Sequence, residues 1–258
     1  MILAILQARV SSTRLPGKVL KPILGRPMLV RQIERMKRSK LIDKLIVATS
    51  TDLSDNFIDE LCRKEEVACF RGSLDDVLDR FFNAAKPYKP DHIVRLTGDC
   101  PLADPVLIDE VISYHLNGGY DYSRNTLEPT FPDGLDTEVL KYKCLEQVWK
   151  EADLPSQREH VTPFIYQQPD RFKIGNFKNT IDMSGLRWAV DEPADFELIS
   201  RIYNSLYNKN PKFTTNDILT FLNNHPDLKT MNTSHERNEG MKKSLYKDAM
   251  FLKSTGEQ

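Results

Sequence analysis

Apolar positions in this chain come in short runs that alternate with stretches of helical spacing. Residues 2–7 (ILAILQ) form an apolar run leading into polar sequence with glycine and proline, the pattern of a buried strand. Pro27 can open a helix that places Leu29, Ile33 and Met36 on one face. Residues 45–48 (LIVA) read as a second buried strand, and 55–66 as a helix with Ile58, Leu61 and Cys62 inward. Residues 67–70 are a short third strand. Residues 74–85 follow as a helix with Val77, Phe81 and Ala84 at helical spacing. Residues 92–96 are the fourth strand, and 105–116 a helix with Ile108, Val111 and Ile112 inward. Strands alternating with helices predict a parallel sheet covered on both faces, an α/β fold of the doubly wound kind.

The rhythm changes after Gly119. Residues 120–137 hold two prolines, a glycine and two strand fragments. Helices are expected at 141–152 and 157–167, and strands at 172–177 and 186–190. Pro193 opens a further helix with Phe196, Ile199 and Ile202 inward. The chain thus divides into one α/β domain over 1–228, with an insertion at about 120–180 that completes a substrate site or a dimer contact. A polar, lysine-rich tail over 229–258 is expected to be a solvated end rather than an arm.

Charge and cysteine content narrow the class. The formal net charge of -1 gives no bulk attraction to nucleic acid or to a membrane surface, so neither partner is expected. No apolar stretch approaches the roughly 18 residues that span a bilayer. The apolar opening lacks a basic leader and is read as a strand, not a secretory signal. Cys62, Cys69, Cys100 and Cys144 have no paired CxxC spacing, which fits four reduced thiols in a cytoplasmic protein.

The candidate chemistry starts in the loop after the first strand. Arg9, Arg14 and Lys18 accompany Ser11, Ser12, Thr13 and Gly17 within ten residues. Ligands of open α/β sheets bind beyond the carboxyl ends of strands, at the switch in strand order. There, three cations and backbone N–H groups near Gly17 can hold a polyphosphate. A solvated loop with ordinary charges is the plainer alternative. The spacing matches neither a Walker A loop nor a dinucleotide fingerprint. Asp99 follows the fourth strand after Gly98. With a strand order of 3-2-1-4 it would face the basic loop, where a bridging Mg²⁺ reconciles a carboxylate with phosphates. A turn aspartate bonded to its own backbone is the alternative reading. Asp191, just before the Pro193 helix, is either a helix-start acid or a second metal ligand. His92 and Arg95 on the fourth strand read as structural groups.

With these residues in view, the chain resembles the cytidylyltransferases that make CMP-activated acidic sugars, above all the spore-coat polysaccharide biosynthesis protein F-like branch. The likeness rests on Ala8-Arg9 with Ser12-Thr13-Arg14-Leu15-Pro16-Gly17-Lys18, on Phe70-Arg71-Gly72-Ser73 with Asp76-Val77-Leu78-Asp79-Arg80, and on Leu96-Thr97-Gly98-Asp99-Cys100-Pro101-Leu102. It continues through Pro132-Asp133-Gly134-Leu135-Asp136, Arg158-Glu159-His160-Val161-Thr162 and Val190-Asp191-Glu192-Pro193-Ala194-Asp195. Cys100 stands where the Kdo enzymes carry an acid, so the sugar need not be Kdo.

The resemblance implies a Rossmann-like nucleotidyltransferase fold, CTP and a small, acidic sugar as substrates, pyrophosphate as product, and a homodimer. By position it implies Arg14, Lys18 and Asp99 as catalytic groups and Asp99 with Asp191 as Mg²⁺ ligands. Ala8, Arg9, Ser12, Thr13, Gly17, Arg71 and Arg80 are then expected on the nucleotide, and Asp133, Asp136, Arg158 and His160 on the sugar. A sugar-1-phosphate or alcohol-phosphate nucleotidyltransferase and a non-catalytic nucleotide-binding regulator are the competing readings.

Overall fold

The computed structural model describes residues 1–232 and 239–255. Its strands are β1 (Ile2–Gln7), β2 (Pro22–Ile23), β3 (Arg26–Pro27), β4 (Lys44–Ser50), β5 (Ala68–Gly72), β6 (His92–Thr97), β7 (Tyr122–Arg124), β8 (Glu138–Lys141) and β9 (Ile174–Asn176). The helices are α1 (Met28–Met36), α2 (Asn56–Lys64), α3 (Val77–Ala85), α4 (Pro105–Gly118), α5 (Tyr142–Glu151), α6 (Pro155–His160), α7 (Pro163–Tyr166), α8 (Pro193–Leu206), α9 (Thr215–Asn223), α10 (Pro226–Lys229) and α11 (Glu239–Thr255).

Seven strands form one mostly parallel sheet in the order β5-β4-β1-β6-β8-β7-β9, and only β8 runs against its neighbours. The expected 3-2-1-4 order is the β5-β4-β1-β6 half. Residues along β1 alternate between two cores because successive side chains leave opposite faces. Ala4 and Leu6 pack with α1, α4 and α8, whereas Leu3 and Ile5 pack with α3, α5 and α7. Burial on both faces is why β1 reads as an unbroken apolar run.

Local signals set the helix ends. Asp104 accepts the Val106 N–H at 2.9 Å, Pro105 fills the first turn of α4, and Gly119 closes it at φ 61°. Asp76 caps α3 through the Asp79 N–H at 2.9 Å. Between β1 and β6 the order of strands switches, and there Gly98 allows a close approach of two loops. A Cβ on it would meet the Ala8 Cβ and the Gln7 carbonyl oxygen at 3.0 Å. The two loops therefore lie against each other, joined by the Gly98 N–H to the Gln7 oxygen at 2.8 Å.

Three expectations change. The helix over 157–167 is two short helices, α6 and α7, broken at Val161 (φ 72°), because Pro163 has no N–H to continue the first. Residues 186–190 are not a sheet strand; a single bridge, Arg187 to Asp133, remains. Their backbone is used by loops instead: the Trp188 N–H donates to the Asp133 oxygen and the Val190 N–H to the Asp99 oxygen at 2.8 Å. The tail is not simply a solvated end. α11 packs on α6, its Asp248 accepting the Ser156 N–H at 2.8 Å with both residues buried. The part of the tail at 233–238 and 256–258 lies outside the described residues. Residues 120–180 supply β7, β8 and β9 to the main sheet, so this stretch extends the fold rather than standing apart from it.

Candidate active site

The loop after β1 and the loop after β6 open onto a cavity of about 470 Å³. Gln7, Ala8, Arg9, Ser12, Thr13, Arg14 and Lys18 line it from one side, Gly98, Asp99 and Asp191 from another. Gly17, at φ 69°, turns the loop back toward the sheet and is not part of the wall. Lys18 is buried and reaches across to the segment before α8 and toward the loop after β6. Its Nζ donates to the Val190 oxygen at 2.7 Å and to Asp191 Oδ1 at 2.9 Å, with Asp99 Oδ2 at 3.8 Å. Arg14 pairs with the same Asp191 oxygen at 3.0 Å and approaches Glu192 at 3.6 Å. Burial pushes the Asp191 carboxyl up, but Lys18, Arg14 and Arg187 outweigh it and hold the group ionised below the usual carboxylate range. The structure thus brings Arg14, Lys18, Asp99 and Asp191 to one point, although Lys18 and Asp191 are 173 residues apart in sequence.

A second cavity, of about 440 Å³, shares Gln7, Arg14, Asp99, His160 and Asp191 with the first and continues toward β7 and β8. Asp133 and Asp136 line it, as does His160, which faces both cavities. The Pro132–Asp136 turn is pressed against residues 188–189, where a Cβ on Gly134 (φ 103°) would meet the Ala189 nitrogen at 2.4 Å. His160 shares a hydrogen bond with Ser244 of α11 at 2.8 Å, and burial lowers its proton affinity, favouring the neutral ring.

Other expected site residues lie elsewhere or are occupied. Arg71 is not on the cavity wall. It donates to the Ser50 oxygen at 2.9 Å, Asn56 Oδ1 at 2.7 Å and the Asp52 oxygen at 2.8 Å, tying β5 to the turn after β4. Arg158 lines neither cavity; it holds Asp76 at 2.5 Å and the Trp149 oxygen at 3.0 Å, fastening α6 to α3 and α5. Its charge is therefore already paired with a carboxylate away from the site. Arg80 does line the first cavity. It is buried, donates to the Ser73 oxygen at 2.6 Å, and is lowered to about 10 by burial and by neighbouring Arg9.

Several groups were not legible beforehand. Arg187 binds Asp133 and Asp191 at 2.7 Å and Asp195 at 3.1 Å, and so orients an acid of each cavity. Its place four residues before Asp191 and eight before Asp195 was the available signal. Arg95 is not merely structural: it lines both cavities and pairs with Glu138. Arg124, Glu138, Thr162 and Tyr166 complete the second cavity. Ser244 and Lys247 of α11 reach the first, Lys247 through Glu159 at 3.1 Å, and nothing in the lysine-rich tail announced this.

Two carboxylates, Asp99 and Asp191, meet at one cation. Among the described residues no group of three or more His, Cys, Asp or Glu side chains is gathered into a protein-only metal cage. That donor set suits a hard cation completed by phosphate oxygens and water. Among the described residues no helix is long and apolar enough to cross a membrane.

Comparison with known proteins accords with this architecture. The cytidylyltransferase family profile matches residues 3–239. An uncharacterized protein of Methanocaldococcus jannaschii is 40% identical over 90% of this chain and 95% of its own. The spore coat polysaccharide biosynthesis protein SpsF of Bacillus subtilis is 34% identical over 89% of this chain and 97% of its own. A solved cytidylyltransferase from Leptospira borgpetersenii superposes with a TM-score of 0.85 at 32% identity, covering 92% of this chain and 99% of that one. With a profile spanning nearly the whole fold and relatives matched almost end to end, the chain belongs to the cytidylyltransferase family and is a nucleotidyltransferase.

Proposed function

We propose that the protein transfers CMP from CTP to a hydroxyl of an acidic sugar, giving a CMP-sugar and pyrophosphate for surface polysaccharide synthesis in the cytoplasm. The observation that carries this reading is the meeting of Lys18 with Asp99 and Asp191 beneath a basic loop at the switch point of the sheet. SpsF, by its name a spore-coat polysaccharide protein, supports the pathway class.

In the reaction the sugar oxygen bonds to the α-phosphorus, the bond to the oxygen bridging the α- and β-phosphorus breaks, and the hydroxyl proton passes to solvent. Transfer of this kind needs chiefly positioning and charge stabilisation. Arg14 and Lys18 bind the β- and γ-phosphates and offset the charge that grows on the leaving pyrophosphate. Arg9, Arg80 and the backbone at Ala8 hold the nucleotide, with Ser12 and Thr13 on the same wall. Asp99 and Asp191 would hold Mg²⁺, which when bound neutralises phosphate charge and makes the sugar hydroxyl easier to ionise. Asp133, Asp136 and His160 face the second cavity, where the sugar sits.

The test is pyrophosphate release with CTP, UTP, GTP and ATP against free 2-keto acid sugars and sugar 1-phosphates, with and without Mg²⁺. Release requiring CTP, a free acidic sugar and Mg²⁺ is expected. Preference for a sugar 1-phosphate, or CTP binding without turnover on any acceptor, would replace the reading.

A further inference from the structure

The wall of the first cavity is completed from the far end of the chain, with α6 as the platform. Arg158 spends its charge on Asp76 and so fixes α6 to the start of α3, and α11 packs on α6 in turn. Asp248 accepts the Ser156 N–H at 2.8 Å. Ser244 shares a hydrogen bond with His160 at 2.8 Å and donates to Glu159 at 3.0 Å. Ser244 and Asp248 stand four residues apart and are both buried, so they mark the docked face of the helix. Leu245, Tyr246 and Met250 mark the outer face and are exposed.

This docking decides where Lys247 stands. Lys247 and Ser244 line the first cavity, and Met241 lines the second, so α11 borders both. Lys247 Nζ donates to Glu159 at 3.1 Å. The two side chains are 60% and 33% exposed, so water screens the pair and it is weak. Burial raises the Glu159 carboxyl, but Lys247 and Ser244 outweigh it and keep the group ionised below its usual range.

Lys247 differs in place from the other cations of this cavity. Arg14 and Lys18 lie on the loop after β1 and are held by Asp191, with Asp99 beside Lys18. Lys247 comes from the wall that α6 and α11 make together. A triphosphate carries several negative charges against the single charge of Glu159. A compact ammonium on a flexible stem can exchange one carboxylate for phosphate oxygens without moving its helix.

We propose that α11 is part of the nucleotide site and that Lys247 is a phosphate-binding residue, leaving Glu159 for the β- and γ-phosphates when the nucleotide enters. Docking of α11 through Asp248 positions it. The proposal deepens the nucleotide reading above and rests on it. The family profile ends at residue 239, where α11 begins, so this cation comes from a segment outside the matched fold.

Two measurements on the full chain test it, both with Mg²⁺ present. In the first, the lysines of the wild-type protein are acetylated with an N-hydroxysuccinimide ester and read by mass spectrometry. Saturating CTP should slow labelling of Lys247 more than CMP does, and leave Lys253 on the same helix unchanged. This arm needs no variant and so does not depend on refolding. The second is calorimetry. Lys247→Ala should weaken CTP by ~10-fold, the size of one charge-assisted hydrogen bond, and CMP by less than ~2-fold. Lys247→Arg should restore most of the affinity, and Asp248→Ala should reproduce the loss on CTP. Tyr246→Ala, on the outer face, should change neither nucleotide. Lys247 unprotected by CTP, unchanged CTP affinity in Lys247→Ala, or equal loss on CTP and CMP overturns the phosphate contact. Unchanged CTP affinity in Asp248→Ala overturns the positioning by α11. Binding of UTP, GTP or ATP in place of CTP overturns the cytidylyl reading instead, and the same comparison of triphosphate with monophosphate then decides Lys247 on that nucleotide. Absence of binding by every nucleotide overturns both.

Discussion

Around Arg14 and Lys18, the polar groups sit on loops: the cations follow β1, Asp99 follows β6 and Asp191 lies in the segment before α8, so each cation reaches an acid of another loop. In the neighbouring cavity the charges of Arg95, Glu138 and Arg124 belong to the strands themselves, paired in register, and those of Arg187 and Asp133 to a bridge beside them. The first cavity is walled largely by loops. The second carries a wall of cross-strand pairs, whose shape and charge are set by the sheet. A loop wall and a strand wall differ in precision, because side chains on strands are held in place by the register of the sheet.

The comparison breaks most directly at Arg187. Arg187→Ala strands Asp133, Asp191 and Asp195 without their shared cation, and breaking such a buried network should cost about 3–5 kcal/mol, read as a lower midpoint in urea unfolding. At the transfer point, Lys18→Ala and Asp99→Asn should each lose at least ~10²-fold in turnover while far-UV circular dichroism stays at wild type. Near-normal turnover in Asp99→Asn would remove it from the metal site.

The fixed wall has its own pH signature. Glu138 has its folded pKa depressed from 4.5 to about 2. Its contribution is therefore full above the unfolded value and is lost as pH falls from about 4.5 toward 2. On the order of 3 kcal/mol should disappear across that window in denaturation curves, and Glu138→Gln should flatten that limb. Removing α11 by stopping the chain at residue 238 takes Ser244 and Lys247 from the first cavity and a partner from His160. An effect of ~10-fold on kcat/KM for CTP is expected from the loss of one or two such contacts. The smallest effect belongs to Arg71→Ala. Its three hydrogen bonds are all structural, so CTP affinity should shift by less than about 3-fold while stability drops by about 1 kcal/mol.

How legible each region was follows from the range of the forces that build it. The strand–helix units before Gly119 were readable because their signals are local. Apolar period and a proline such as Pro27 at a helix start act within a few residues. The meeting of the basic loop with Asp99 could be inferred too, because the switch-point rule turns strand order into proximity. Beyond Gly119 the local signals held for α5, β9 and α8 and misled at residues 157–167 and 186–190. Residues 186–190 have the apolar content of a strand, but their N–H groups bond to Asp133 and Asp99, which no window of sequence contains. Arg71 and Arg158 carry motif positions, and only packing shows that Asp52, Asn56 and Asp76 already occupy them. The lysine-rich tail has too little apolar content to announce a helix, and α11 gains its place from α6, not from its own pattern.

By itself, then, the sequence determined the α/β alternation and the basic loop that follows the first strand, since each depends on neighbours a few residues apart. Only the tertiary structure decided which charges are already paired and which remain open to a ligand. Arg124 and Arg187 are both arginines in the later part of the chain. Arg187 meets three aspartates and Arg124 stands opposite Glu138 and over the Tyr166 ring, because cross-strand register and long-range loop contacts, not local preference, choose the partners of a charge.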